Sequence, residues 1–96
     1  MAYDPGAIDA TLAAAVGDEP GLIAELRAAF VDSAERVIDA LEASDNDEAW
    51  SRAAARLKGL AASFGAVRLM SLASEAASAP RSAEAVRMLR RSVARL

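Results

Sequence analysis

Chemistry in this 96-residue chain has to be carried by amines, guanidinium groups, hydroxyls and carboxylates, because it contains no histidine and no cysteine. That excludes a thiol nucleophile, a disulfide framework and any metal site built on thiolate or imidazole. The most suggestive spacing lies in Ser51-Arg52-Ala53-Ala54-Ala55-Arg56-Leu57-Lys58-Gly59. There Arg52 and Lys58 carry positive charge. Ser51 adds a hydroxyl, but a serine is a poor nucleophile without an activating base, and none is evident. The Asp and Glu residues of the preceding segment fall on several faces of a helix and read as solvated surface rather than a metal cluster. The expectation is therefore no cofactor and no metal.

The elements that must position these residues are helices. Hydrophobic residues make up 54% of the chain, many of them Ala, and aromatic residues only 4%, a composition that suits close-packed helices better than a β-sandwich. A chain of this length is expected to form one domain, spanning 1–96, with little room for a deep catalytic cavity beside its core. The start Met-Ala-Tyr-Asp-Pro has no basic region followed by an apolar run, and stretches such as Leu12 to Val16 are too short to cross a bilayer. These features predict a cytoplasmic protein without a membrane role. The formal net charge of -3 argues against non-specific nucleic-acid binding. That average hides a division: the first 48 residues hold 12 acidic and two basic residues, and the remainder two acidic and nine basic, so -10 and +7 sum to -3. Acidic early helices lying beside basic late ones is the simplest consequence, and a basic surface for acidic partners is the other.

Helical punctuation recurs along the chain. Asp4-Pro5 suits a helix start, with Ile8, Leu12, Ala15 and Val16 on one face before Gly17. After Asp18-Glu19-Pro20, the residues Leu22, Ile23, Leu26, Phe30, Val37, Ile38 and Leu41 predict a long amphipathic helix over 19–43. Asp45-Asn46-Asp47 is turn and cap chemistry. A third helix, 47–64, follows with Trp50, Ala53, Ala54, Leu57, Leu60, Ala61 and Phe64 inward and Gly65 closing it. A fourth covers 66–78. Ser82 caps a fifth, whose Val86, Leu89, Val93 and Leu96 form a stripe while Arg87, Arg90, Arg91 and Arg95 look outward. The fold class expected is all-α: an up-down-up-down four-helix bundle preceded by a short helix.

At 100° per residue, Ala55 and Gly59 lie roughly 160° from Leu57 at the core centre, so they face solvent together with Ser51, Arg52 and Ala62. Glycine inside a helix costs about 1 kcal/mol relative to alanine. Close approach by another protein would explain its use at 59, and a tolerated defect in an Ala-rich sequence is the other reading. Trp50 shares the stripe of Leu57 and is expected in the core rather than in a binding site.

The segment Ala55-Arg56-Leu57-Lys58-Gly59, with Ala61-Ala62-Ser63-Phe64-Gly65-Ala66 and Leu69, resembles the signature of histidine-containing phosphotransfer (HPt) domains, HxLKG followed by Gly-Ala and Leu. Ile8 to Leu12, Gly17 to Pro20, Leu22 to Phe30 and Trp50-Ser51 are similar to the family's layout as well, so the resemblance runs over nearly the whole chain. In that family the histidine takes a phosphoryl group from a receiver-domain aspartate and passes it on. Here Ala55 stands in its place, and a methyl group cannot act as the nucleophile. The resemblance implies that Lys58 lies near the phosphoryl site, that Gly59 leaves room for the receiver, and that Gly65 ends the helix. Leu60 and Ala61 depart from the small polar residues common there, though both face inward.

The leading expectation is a pseudo-HPt domain, not an enzyme, that binds receiver domains of a response regulator or hybrid histidine kinase as a monomer through Arg52, Ala55, Lys58, Gly59 and Ala62. A second reading is an active phosphotransfer protein in which Ala55 was substituted for the acceptor histidine. A third is a helical oligomerisation module that packs the Ala55, Gly59 and Ala62 patch against a second copy.

Overall fold

The computed structural model of the protein describes residues 6–17 and 19–96. Among them are five helices: α1 (Gly6–Val16), α2 (Pro20–Glu42), α3 (Asp47–Ser63), α4 (Val67–Ala77) and α5 (Ala83–Ala94). Connections of three to five residues after α2, α3 and α4 leave consecutive helices no choice but to lie antiparallel. In the bundle α2 packs on α3 and α5, and α4 packs on the same two, so the four close into a ring with α3 and α5 diagonally opposite. α1 lies along α2.

Local chemistry sets the ends. The Asn46 side chain accepts from the Ala49 amide at 2.7 Å, and Ser82 Oγ accepts from the Ala85 amide at 3.0 Å, which satisfies donors that a helix start would leave orphaned. α3 ends in a Schellman turn. Gly65 takes φ 72° while the Ala66 amide donates to the Ala61 carbonyl at 2.9 Å and the Gly65 amide to Ala62 at 3.3 Å. Ala61 and Ala66, the residues this turn brings together, are both buried.

Phe30, Ile38, Leu41, Leu57, Leu69 and Leu89 form the centre of the core. The Phe30 and Phe64 rings stack with centroids 4.6 Å apart, tying α2 to the end of α3. Trp50 is buried as expected, and its indole Nε1 donates to the Ala76 carbonyl at 2.8 Å, joining α3 to the end of α4.

Several expectations change. Ala15 is exposed and Val16 half-buried, and Leu22 retains 37% of its surface, because only α1 accompanies the first turns of the long α2. Glu19 occupies the cap position of α2 but makes no side-chain cap bond there. Arg90 does not simply look outward: it spans the α2–α5 seam, donating to Asp39 at 3.0 Å and Glu42 at 2.9 Å. Those carboxylates, Asp39 foremost, hold the guanidinium in its charged form against the opposing effect of burial, raising its pKa further. With Arg81 paired to Asp47, this is how the basic end of the chain meets the acidic half. The Asp4-Pro5 and Asp18 readings lie outside the described residues.

Candidate functional site

α3 has two unlike sides. Trp50, Ala53, Ala54, Leu57 and Ala61 are buried, whereas Ser51, Arg52, Ala55, Lys58, Gly59 and Ala62 are exposed. All five candidate binding residues therefore lie on the open side of one helix, as their spacing predicts. Leu60, expected inward, is half-buried at the margin, where it packs against the core and also lines the groove beside α2. Ser51 leans toward α4, donating from Oγ to the Ala77 carbonyl at 3.3 Å.

The centre of the face is low. Ala55 and Ala62 carry only methyl groups, and a Cβ built at Gly59 would meet nothing within 4 Å. The backbone of Gly59 is ordinary helix, so neither a positive φ nor internal crowding accounts for glycine there. Ser63 Oγ donates to the Gly59 carbonyl at 3.0 Å and holds the next turn in place.

Charge is unevenly distributed around this centre. Arg52 forms an ion pair with Glu48 at 2.6 Å, one turn earlier on the same helix, so part of its charge is neutralised. Lys58, the only lysine of the chain, has no acidic partner among the described residues. The groove on the α2 side of Gly59, about 710 Å³, is lined by Ser33, Arg36, Val37, Arg56, Gly59, Leu60 and Ser63. Arg36 pairs there with Asp32 at 3.0 Å, and Arg56 has no acidic partner among the described residues. Sequence reasoning did not place Arg56 and Arg36 in the site. The signal for Arg56 was available, since it is three residues before Gly59 and shares its flank of the wheel; that Arg36 joins it depends on how α2 lies against α3.

A family comparison gives this face its context. A sequence model of the Hpt domain matches residues 22–96. The chain belongs to the Hpt domain family. Comparison with curated proteins and with solved structures returned no match. The matched span takes in the whole four-helix ring from the first turn of α2 and leaves α1 outside it. Hpt domains are phosphotransfer carriers that interact with receiver domains, so this one has a phosphorelay-related role in signalling. Ala55 presents an exposed methyl group, which has no lone pair, and the chain contains no histidine. Among the described residues no three His, Cys, Asp or Glu side chains gather as a metal site, and no helix is long and apolar enough to cross a membrane.

Proposed function

We propose that this Hpt domain docks receiver domains, of a response regulator or hybrid histidine kinase, through the outer face of α3 and carries no phosphoryl group itself. Gly59 is the observation that supports the reading. An exposed mid-helix glycine costs about 1 kcal/mol relative to alanine, and nothing among the described residues needs the space it leaves. A partner approaching close to the helix does need it. Ala55 and Ala62 extend the low surface, while Lys58 and Arg52 at its rim suit the acidic pocket of a receiver. The domain works as a monomer in the cytoplasm, occupying a receiver and denying it to phosphotransfer-competent relatives. It is a binding module, not an enzyme.

Titrating the ¹⁵N-labelled domain with a panel of purified receivers tests docking. Shifts concentrated on residues 52–62, with affinity that falls as salt rises, are expected. A panel that binds nowhere, or binds while leaving α3 unmoved, overturns the proposal. A persistent dimer in sedimentation that buries Ala55, Gly59 and Ala62 would do the same, because that face would then be occupied by a second copy.

Ala55→His tests the missing chemistry. At a solvent-facing position the imidazole should change stability by no more than about 0.7 kcal/mol, the spread of ordinary helix propensities. With a phosphorylated receiver the variant is expected to gain acid-labile label on this chain, while the parent gains none. Label on the parent would show that another group accepts phosphate and would end the reading of a silent carrier.

A further inference from the structure

α4 and α5 meet in a notch of about 130 Å³ lined by Arg68, Leu72, Met88, Arg91, Ser92 and Arg95. None of its three arginines has an acidic partner among the described residues, a state they share with Arg56 and Arg87, whereas Arg27, Arg36, Arg52, Arg81 and Arg90 all have one. The helix dipole explains Arg91 and Arg95, which sit near the C-terminal end of α5. It does not explain Arg68. That residue occupies the second position of α4, at the positive end of the helix, where a cation is disfavoured and where Ala66 supplies no side-chain cap. Arg91 and Arg95 also repel each other one turn apart.

Ser92 provides an independent observation. It is only 5% exposed, the one buried polar residue of the described core, and its Oγ has no hydrogen-bond partner. Helical serines commonly return their proton to a carbonyl one turn back, as Ser63 does to Gly59. Ser92 does not, although leaving a buried hydroxyl unbonded is unfavourable. A buried donor without an acceptor among the described residues therefore belongs to the lining of a notch that carries three positive charges without acidic partners.

We propose that this notch binds a phosphate group, free or as a small monoester. The guanidinium forks match the oxygens of a tetrahedral anion, and the Ser92 hydroxyl donates to one of them. Leu72 and Met88, the latter 39% exposed, give an apolar wall for the carbon part of a monoester. A volume of about 130 Å³ suits one such group. The residues that line the notch lie on α4 and α5, and none of them belongs to the docking face proposed for α3. The proposal does not rest on receiver binding.

The test is a titration of the ¹⁵N-labelled full chain at constant ionic strength with inorganic phosphate and with glycerol 3-phosphate, beside chloride and acetate. Both phosphates should give saturable shifts confined to residues 66–72 and 88–95; the tighter of the two identifies whether the ligand is the ion or an ester. Replacing Arg68 and Arg91 together by Ala should weaken binding at least tenfold. Ser92→Ala should melt at the same temperature as the parent or higher in phosphate-free buffer, and lose at least half of the rise in melting temperature that phosphate gives the parent. Equal shifts with chloride or acetate would overturn the proposal. So would an unchanged affinity in the arginine variant, or a Ser92→Ala chain that melts lower without phosphate, since the hydroxyl would then serve the fold.

Discussion

The two sides of α3 are built from much the same residues and do opposite things. Ala53, Ala54 and Ala61 on the inner side are at most 6% exposed, whereas Ala55 and Ala62 on the outer side lie in solvent. Inside, small side chains let α2 and α4 come close, and Trp50 and Leu57 fill what remains between them. Outside, small side chains fill nothing in this chain. Residue type alone does not distinguish the sides; what distinguishes them is whether removing or adding a few atoms changes a contact that already exists.

The largest effect should come from the inner side. Leu57 is wholly buried, so Leu57→Ala removes buried methyl groups and leaves a cavity, with an expected loss of about 2 to 5 kcal/mol. Against the roughly 5 to 15 kcal/mol that holds a small domain together, that is a large share. Urea unfolding followed by circular dichroism reads it directly, and a loss below about 1 kcal/mol would mean the two sides of the helix differ less than their burial says.

Next is Trp50→Phe. It keeps an aromatic ring in the stripe but deletes the indole donor to the Ala76 carbonyl and some packing, for an expected loss of about 1 to 3 kcal/mol. Amide exchange at the end of α4 should accelerate along with the global loss. If only the melting temperature moves and α4 keeps its local protection, the tie between α3 and α4 is carried by packing alone.

How far these sides could be read from the sequence differs with what each depends on. A period of 3.6 residues fixes which side of a helix faces inward, so Trp50, Ala53, Leu57 and Ala61 were legible, as were the caps at Asn46 and Ser82 and the stop at Gly65. Periodicity does not say how much of that side a neighbour covers. Leu22 follows the pattern yet stays exposed, because α3 and α5, the bundle helices that pack on α2, have 17 and 12 residues and are too short to accompany all 23 of it, and Ala15 is exposed on α1. The site divides in the same way. Arg52, Ala55, Lys58, Gly59 and Ala62 share one helix and were found together, whereas the placing of Arg56 and Arg36 on one groove, and the pairing of Arg90 with Asp39 and Glu42 across a seam, arise from residues far apart in the chain.

The smallest effect is the one that separates the sides most sharply. Gly59→Ala adds a single methyl group to an exposed helical position where it meets nothing within 4 Å. Lower backbone entropy in the unfolded chain then makes the variant more stable by about 0.4 to 1 kcal/mol. A destabilised variant would mean that the glycine serves the fold after all. Stability and docking are expected to move in opposite directions: the methyl that helps the helix stands where a receiver has to come close, so the same substitution should weaken receiver binding, by severalfold or more, in the titration that reports on residues 52–62. Lys58→Ala provides the matching comparison. It removes rim charge without filling the centre of the face, so its loss of affinity should shrink as salt screens the attraction, while that of Gly59→Ala should persist. If both losses vanish together at high salt, the outer face acts through its charge, and its flatness has no part in the partner's approach.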